Sequence, residues 1–428
     1  MNYDETINYL FTRLPMFSHQ GADAYKKDLT NTIALCEALG NPQNKFKAIH
    51  IAGTNGKGST SHMLAAILQS AGFRTGLYTS PHLKDFRERI RVDGEMINKD
   101  FVISFVERIT PTIEKLEPSF FEITVAMAFH YFAEQRIDIA IVEAGLGGRL
   151  DSTNIITPII SVITNIGMDH MNILGDSIEK IAAEKAGIIK KGIPVVIGES
   201  NPLTAHIFQQ TALVLNAPIY FADKLQYVAE WSYEHHKLVA SVDSSHHQDR
   251  DNYLLDLPGF YQTKNLVTVL ETIHQLREMG YNINQATTQH ALSQVKLLTE
   301  LHGRWEVKQE HPLVVLDVAH NEDGIAQLVA QIELTGHDDL HIIIGMVKDK
   351  EIDKVLSLLP RTASYYFTRA KIPRALDPQN LAERAAVLGL NGKVFPDVNT
   401  ALDHALQHAK KADLVLVCGS VFVVGEVN

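Results

Sequence analysis

The chain has 428 residues, a formal net charge of −11 at pH 7, 45% hydrophobic residues and 21% charged residues. At roughly 150 residues per domain, this length predicts two or three domains with large cores. The negative charge argues against a general nucleic-acid binder, whose phosphate partner needs a basic face, but it allows small anionic ligands. The two cysteines, Cys36 and Cys418, lie far apart in the sequence, so no disulfide framework is expected.

The first residues and the apolar runs bear on the compartment. Asp4 and Glu5 stand where a signal peptide needs basic residues followed by an apolar run. No apolar run approaches the ~18 residues of a membrane-spanning helix. The sequence therefore predicts a cytoplasmic protein that binds neither membranes nor nucleic acids, and we expect a monomer.

Helical patterns fill residues 1–46, with Gly40 as a stop signal, and a glycine-rich stretch follows an apolar strand pattern. That stretch is Gly53-Thr54-Asn55-Gly56-Lys57-Gly58-Ser59. Glycines let backbone N–H groups close around phosphate oxygens, a lysine neutralises their charge, and a following helix adds its dipole. Gly58 departs from the standard nucleotide loop, because it separates Lys57 from the first hydroxyl. An ordinary strand–helix turn is the alternative; the order of strand, lysine, hydroxyls and helix favours phosphate binding.

Short apolar runs then alternate with helical patterns, which predicts a mainly parallel sheet covered by helices on both faces. The predicted strands span 75–79, 137–143, 159–164 and 194–197. Between residues 227 and 257, short alternating segments and polar turns predict appended antiparallel hairpins. Helices are expected over 263–279 and through residue 291.

The pattern breaks at 298–303, where a second β/α series begins. Its predicted strands span 313–317, 341–344, 364–368 and 414–418. We therefore predict an α/β protein in which residues 1–297 form a P-loop-type ATPase domain, with a mainly parallel sheet and the appended hairpins. Residues 298–303 would be a linker, and residues 304–428 a smaller, Rossmann-like α/β domain.

Polar residues follow the predicted strands of the first domain. Ligands of open α/β sheets gather at the carboxyl ends of the strands, which places Ser80 and Glu143 near the phosphate loop. Magnesium prefers hard oxygen ligands beside phosphates, so both residues are candidate metal ligands. A serine–proline turn and a structural carboxylate are the alternatives.

Two further positions in the first domain combine charge with an apolar context. Asp169 and His170 follow a strand and are candidate ligands or orienting groups, although a single histidine is more often structural. Lys185 lies in an apolar helical stretch, where a buried ammonium is costly unless it is paired or modified. The alternative is a helix lysine whose ammonium reaches solvent.

In the second half, Arg304, Asp317 and His320 are the candidate chemical groups. An arginine from a second domain can clamp phosphoryl oxygens during transfer, whereas polar domain contacts are the alternative. The histidine pairs at 235–236 and 246–247 lie in polar hairpin sequence, where surface turns are expected and a metal site is the alternative.

These motifs together resemble the folylpolyglutamate synthase/dihydrofolate synthase family, a branch of the Mur ligase superfamily, over essentially the whole chain. The extra Gly58 of the loop is a feature of that family. The other motifs are Tyr78-Thr79-Ser80-Pro81-His82, Glu143 with its glycine turn, Asp151-Ser152-Thr153-Asn154, Asp169-His170, Glu184-Lys185-Ala186-Gly187-Ile188, Gly303-Arg304 and Asp317-Val318-Ala319-His320-Asn321.

The resemblance implies ATP and two magnesium ions as cofactors, with K⁺ as a further candidate. Lys57 and the rest of the loop would hold the ATP phosphates, and a carbamylated Lys185 would assist catalysis. The implied metal ligands are Ser80, Glu143 and His170. The implied nucleotide contacts outside the loop are Asn265, Arg304 and Asp317.

The implied substrates are L-glutamate and a folate or dihydropteroate. His320 and Ser420 would contact the glutamate, and Asp317 or His320 would take the proton from its ammonium group. The implied contacts to the pterin substrate are Pro81, His82, Phe121 and Asp151.

The implied reaction is ATP-dependent phosphorylation of a folate carboxylate, followed by attack of the glutamate amine on the acyl phosphate, with domain closure over bound ATP. One alternative is a cell-wall amino-acid ligase of the same superfamily; those carry a further N-terminal domain, whereas 52 residues precede Gly53 here. Another is a P-loop switch without ligase chemistry, which would not explain Arg304, Asp317 and His320. Tail elongation is favoured over dihydrofolate synthesis, although the turn at 147–151 does not decide between them.

Overall fold

The computed structural model describes residues 1–15 and 28–428. The chain divides into two compact units. The first comprises Met1–Gly167, Met171–Asp256 and Gln262–Leu301, and the second comprises Met168–His170, Leu257–Tyr261 and His302–Asn428.

The first unit is built on an eight-stranded sheet with the order β4-β3-β2-β5-β1-β6-β7-β8. Six neighbouring strands from β2 to β8 are parallel, and β3 and β4 extend the edge as antiparallel strands. Its strands are β1 (Lys47–Ala52), β2 (Thr75–Tyr78), β3 (Ile90–Val92), β4 (Glu95–Met96), β5 (Ile139–Glu143), β6 (Ile160–Ile163), β7 (Val195–Ile197) and β8 (Ile219–Phe221). The central strands are apolar and buried on both faces, as expected for parallel strands between two helical layers.

A separate antiparallel sheet of three strands follows in the first unit, in the order β11-β10-β9. These strands are β9 (Gln226–Glu234), β10 (Lys237–Ser244) and β11 (Asp251–Leu255), and they confirm the predicted hairpins.

The helices of the first unit are α1 (Tyr3–Arg13), α2 (Thr30–Ala38), α3 (Lys57–Ser70), α4 (Lys99–Leu116), α5 (Phe120–Gln135), α6 (Met171–Leu174), α7 (Ile178–Ala186), α8 (Ala205–Val214), α9 (Ala222–Leu225), α10 (Gln262–Glu278), α11 (Gln285–Leu292) and α12 (Val295–Thr299). Helix α3 begins directly after the glycine-rich loop and packs between the sheet and helices α10 to α12. It is buried from Ser59 to Leu68, so its N-terminus is held by a large core rather than by a surface turn.

The second unit has a six-stranded sheet with the order β12-β13-β17-β14-β15-β16, parallel except for β12. Its strands are β12 (Glu306–Glu310), β13 (Leu313–Leu316), β14 (Leu340–Ile344), β15 (Ser364–Phe367), β16 (Gly392–Val394) and β17 (Leu414–Cys418). Its helices are α13 (Glu322–Glu333), α14 (Ile352–Leu358), α15 (Pro378–Val387), α16 (Val398–His408) and α17 (Val421–Gly425). A core of its own forms around β14 and β17, whose apolar side chains are buried.

The predicted α/β class is confirmed, and each predicted strand is present within two residues of its expected ends. The sequence analysis did not identify β3, β4, β8, β12 and β16. Within the described part of the chain, no helix combines the length and apolar character that a membrane crossing requires.

Candidate active site

The glycine-rich loop is held in shape by the strand next to it. The amide of Asn55 donates to the side-chain oxygen of Asn165 at 2.8 Å, and the hydroxyl of Thr54 donates to the carbonyl of Gly167 at 3.1 Å. Gly56 has a φ of +81° and is the N-cap of helix α3, and a Cβ at this position would overlap the Asn265 side-chain oxygen. Glycine is therefore required here for both its conformation and its size.

Two lysine ammonium groups converge on the carbonyl oxygen of Gly53. Lys185 Nζ donates to it at 2.7 Å and Lys57 Nζ at 3.1 Å, and Lys57 also donates to the carbonyl of Thr54 at 3.2 Å. Lys185 is 4% exposed, so the alternative of a lysine reaching solvent is wrong. Two cations beside the N-terminus of α3 make the loop suited to a polyanion such as a triphosphate.

Helix α10 closes one side of the loop. The side chain of Gln262 donates to Ser59 Oγ at 3.1 Å, and Asn265 Nδ2 donates to Gln262 Oε1 at 2.7 Å. Asn265 is thus joined to the phosphate loop through Gln262. The sequence analysis did not identify Gln262, which occupies an inconspicuous place just before a predicted helix.

Glu143 lies at the carboxyl end of β5, in register with Ile51, two residues before the loop glycine Gly53. The amide of Ser80, after the neighbouring strand β2, donates to Glu143 Oε2 at 3.3 Å. A carboxylate and a hydroxyl side chain at this edge are hard oxygen donors, and their chemistry fits Mg²⁺ held together with phosphate oxygens. Among the described residues, no group of three or more histidine, cysteine, aspartate or glutamate side chains is arranged to hold a metal by itself.

The turn after Glu143 is fixed by the segment 151–154. Asp151 accepts hydrogen bonds from the amide of Leu146 at 2.8 Å and from the amide of Thr153 at 3.0 Å. Asn154 Nδ2 donates to the carbonyls of Arg149 and Gly187, each at 3.0 Å. The glycine turn is therefore tied to the end of α7, the helix that carries Lys185.

His82 lies in an aromatic and basic environment. Its Nδ1 accepts from Arg89 Nε at 2.7 Å, and its ring stacks with Phe11 at a centroid distance of 6.2 Å. Burial, and then the charge of Arg89, lower the pKa of His82 to about 3, so the ring is neutral at pH 7. Phe121 lies 6.2 Å from the ring of Tyr78, ring centre to ring centre, while Pro81 is exposed.

In the second unit, Asp317 is 3% exposed and surrounded by donors. It accepts from Tyr261 Oη at 2.6 Å, and from the amides of Trp305 and Ala319 at 2.9 Å each. Burial raises the pKa of Asp317, and these donors and the charge of Arg304 oppose that rise. Arg304 donates to the carbonyl of Gly303 at 3.2 Å.

A second acidic centre of this unit is Asp169. Lys350 Nζ donates to its Oδ1 at 2.5 Å, Asn321 Nδ2 donates to its Oδ2 at 3.0 Å, and His320 Nε2 lies 3.5 Å from Oδ2. Burial alone would raise its pKa, but the hydrogen bond to His320 and the nearby charges of His170 and Lys350 hold the pKa well below the ordinary value. This carboxylate is therefore ionised throughout the neutral range.

Of the remaining predicted residues, His170 lies beside Asp169, whereas Ser420 caps a helix. His170, whose ring Nε2 is 3.4 Å from Lys350 Nζ, belongs to the Asp169 group in the second unit. Ser420 is buried and caps α17 by accepting from the amide of Phe422 at 3.2 Å. Tyr261 and Lys350 were not identified from the sequence. Lys350 follows a predicted strand of a parallel sheet, and that position was a usable signal.

The histidine pairs lie outside these groups. His235 is exposed in the hairpin turn, whereas His246 stacks on His274 with ring centres 3.5 Å apart and lies 2.7 Å from Glu271. The expected surface turn is correct for His235, and His246 is a structural contact between the hairpins and α10.

The fold and the glycine-rich loop are those of a Mur ligase. A model of the Mur ligase middle domain matches residues 51–273, and a model of the Mur ligase glutamate ligase domain matches residues 303–421. Within that class, the chain belongs to the folylpolyglutamate synthase/dihydrofolate synthase family, which confirms the predicted resemblance.

The chain is similar to the dihydrofolate synthase/folylpolyglutamate synthase of Bacillus subtilis, at 33% identity over 92% of both chains. Among solved structures, Escherichia coli FolC in complex with DHPP and ADP has a TM-score of 0.86 at 29% identity, covering 99% of this chain and 96% of that one. The Yersinia pestis bifunctional enzyme complexed with AMPPNP and Mn ion has a TM-score of 0.82 at 29% identity, covering 99% and 97%. The chain spans half the length of a probable bifunctional folylpolyglutamate synthase/dihydropteroate synthase of Haloferax volcanii, with 33% identity.

Proposed function

We propose that this protein is an ATP-dependent ligase that joins L-glutamate to the γ-carboxylate of a reduced folate. This proposal rests on the Lys57 ammonium, which donates to the Gly53 carbonyl of the glycine-rich loop, and on the buried Glu143 at the end of the neighbouring strand. Together with the loop they supply what phosphoryl transfer to a carboxylate needs: a cradle of backbone N–H groups, a positive charge and a hard oxygen ligand at the strand end. The similarity to the Bacillus subtilis dihydrofolate synthase/folylpolyglutamate synthase supports the same function.

The chemistry follows from the bond that is made. A carboxylate is a poor electrophile, so one carboxylate oxygen attacks the γ-phosphorus of ATP and ADP leaves with the electrons of the broken bond. The amine of glutamate then attacks the acyl carbon, phosphate departs, and the ammonium proton passes to a base. Mg²⁺, held by Glu143 and Ser80 with His170 as a candidate for a second ion, would offset the negative charge on the phosphoryl oxygens.

The roles of the residues divide between the sequence regions. Residues 1–297 would hold ATP, the metal and the acid substrate, the last through Pro81, His82, Phe121 and Asp151. Residues 304–428 would hold glutamate through His320 and Ser420. Arg304 and Asp317 would contact the nucleotide, and Asp317 or His320 would accept the ammonium proton.

Lys185 would act as a carbamate. A buried ammonium in an apolar helix is unfavourable. After loss of one proton, the neutral amine can attack carbon dioxide and release a second proton, which leaves a carbamate anion that can receive a metal or a donor. Purified protein incubated with ¹³C-bicarbonate should show one carbamate carbon resonance, which the Lys185→Ala variant lacks. Activity of that variant should recover in part with short carboxylic acids; a wild-type protein without the resonance would contradict carbamylation.

The decisive experiment compares substrates side by side. We expect ADP release that depends on both glutamate and tetrahydrofolate, with dihydropteroate as the alternative acceptor if the enzyme also makes dihydrofolate. ATP turnover indifferent to both substrates would overturn the ligase assignment and favour a P-loop switch. Replacing K⁺ by Na⁺ in the same assay tests whether K⁺ is a further cofactor, and a sedimentation measurement tests the proposed monomer. The proposed compartment is the cytoplasm.

A further inference from the structure

A buried chain of hydrogen bonds connects the strand before the phosphate loop with the turn after Glu143. His50, on β1, is fully buried, and its Nε2 lies 2.9 Å from the hydroxyl of Thr153. That hydroxyl in turn donates to Asp151 Oδ1. Thr153 is also fully buried, and Asp151 is 2% exposed. None of the roles proposed above uses His50 or Thr153.

The direction of each hydrogen bond follows from counting protons. A threonine hydroxyl has one proton and can accept at its lone pairs. Its proton points to the Asp151 carboxylate, which also accepts from the amides of Thr153 and Leu146. Burial raises the pKa of Asp151, and the hydrogen bonds from the Thr153 hydroxyl and the backbone amides oppose that rise. With Asp151 ionised, the hydroxyl accepts from His50, and His50 carries its proton on Nε2.

The other ring nitrogen agrees with this assignment. His50 Nδ1 is buried and has no hydrogen-bond partner within residues 1–15 and 28–428. An Nδ1–H there would be an unsatisfied donor as well as a second proton on a buried ring. Burial, and then the charge of Lys190, lower the pKa of His50 to about 3, so the neutral form is the one present at pH 7.

We propose that His50 is a positioning residue for the acid substrate, acting through the Thr153 hydroxyl to fix the Asp151 carboxylate. The inference deepens the proposed function, because it rests on Asp151 being a substrate contact. Without the relay, Asp151 keeps the Leu146 amide on Oδ2 and the Thr153 amide on Oδ1, but it loses the hydroxyl donor that restricts its rotation further. A carboxylate that rotates is a poorer acceptor for the N–H groups of a pteridine ring, and binding weakens before the phosphoryl chemistry does.

The test uses a pair of variants at each position of the relay. Thr153→Val removes the hydroxyl and keeps the shape, while Thr153→Ser keeps the hydroxyl and is the matched control. His50→Phe removes the donor, while His50→Gln can place an amide N–H near the position of Nε2. We expect Thr153→Val and His50→Phe to raise the KM of the folate substrate about tenfold. The KM of ATP and kcat should stay within about twofold of the wild-type values, and the two conservative variants should stay near wild type.

The double variant His50→Phe/Thr153→Val separates a relay from two independent contacts. Residues that act in series give a double variant no worse than the poorer single variant, whereas independent sites add. Additive losses, equal losses in Thr153→Ser and Thr153→Val, or a KM change shared by ATP would each overturn the positioning role.

The tautomer of His50 can be measured by NMR, independently of any enzyme assay. In ¹⁵N spectra of histidine-labelled protein, the resonances missing from His50→Gln identify His50 among the 20 histidines. We expect the neutral Nε2–H form, unchanged from pH 8 to pH 5. An Nδ1–H form, or a titration near pH 6.5, would overturn the relay even in an active ligase. If the wild-type protein turns over ATP without needing folate, the proposed function fails, and the NMR result still decides whether the relay exists.

Discussion

Substitution of Lys57 should abolish ligation without affecting the stability of the fold. Lys57 is partly exposed at the first turn of α3 and its ammonium contacts the Gly53 and Thr54 carbonyls, so little apolar packing depends on it. We expect Lys57→Ala to lower the rate of ligation by about a thousandfold or more, because the charge that offsets the γ-phosphoryl group is lost. Thermal unfolding should stay cooperative with a similar midpoint. Lys180→Ala, on the exposed side of α7, is the control, and loss of cooperative unfolding in Lys57→Ala would contradict this placement.

Gly56 and Gly72 allow a conformational cost to be distinguished from a steric one. Both have positive φ, at +81° and +90°. Among the described residues, a Cβ at Gly72 has no neighbour within 4 Å, whereas one at Gly56 would overlap Asn265. Gly72→Ala should therefore lower the free energy of unfolding by about 1 kcal/mol and leave the KM of ATP unchanged. Gly56→Ala should cost more and also weaken ATP binding, as measured by urea unfolding and nucleotide titration. Equal effects of the two substitutions would show that Asn265 does not constrain the loop.

Among the secondary-structure elements, the sequence predicted the strands and helices that have a clear hydrophobic periodicity and are bounded by glycines. The buried strands, such as β5 and β14, and the helix after the phosphate loop were found because apolar residues dominate them. The strand β16, Gly392–Val394, was missed because its three residues are exposed and include a glycine and a lysine. Edge strand β12 was missed because it is polar and mostly exposed.

Candidate site residues could be predicted where they lie in a local sequence motif. They could not be predicted where segments far apart in the sequence form the contact. Lys57, Glu143 and Asp317 follow strands in recognisable patterns. Tyr261 reaches Asp317 only because residues 257–261 pack with the second unit, and no local signal in the sequence indicates that partnership. Carbamylation of Lys185, and the ligand roles of the other candidate residues, stay predictions.

Asn321, the N-cap of helix α13, makes two hydrogen bonds with its side chain. Asn321 accepts from the amide of Gly324 at 2.9 Å as the N-cap, and its Nδ2 donates to Asp169. Asp397 is the matched N-cap of α16 in the same unit, where it accepts from the amide of Thr400 at 2.9 Å. Both alanine substitutions should lower the free energy of unfolding by about 1 kcal/mol, since each removes one cap. Only Asn321→Ala should also lower kcat/KM for glutamate, and an unchanged kcat/KM would show that the contact with Asp169 is merely structural.

For the whole molecule, pH dependence of stability tests the buried neutral histidines together. The folded-state pKa values of His50 and His82 are about 3, against 6.5 in the unfolded chain. Below pH 6.5 both histidines therefore bind protons in the unfolded chain but stay neutral in the folded chain. The stabilising contribution of the two neutral histidines is complete above pH 6.5 and is lost as pH falls towards 3. Each such group adds a slope of up to about 1.4 kcal/mol per pH unit within that window.

We expect the free energy of unfolding of the first unit to fall steadily between pH 6.5 and pH 4.5. The Trp305→Phe background leaves Trp231, in the first unit, as the fluorescence reporter, because the chain has two tryptophans. Adding His50→Gln to that background removes one of these two histidines. The slope of the free energy of unfolding against pH should then decrease by up to the contribution of one proton, about 1.4 kcal/mol per pH unit. At pH 8 the substitution should shift the free energy of unfolding by an amount that does not depend on pH. The same slope with and without His50 would mean that the histidine takes up its proton equally well in the folded and unfolded chains. A fully buried ring whose Nδ1 has no partner among the described residues does not allow that.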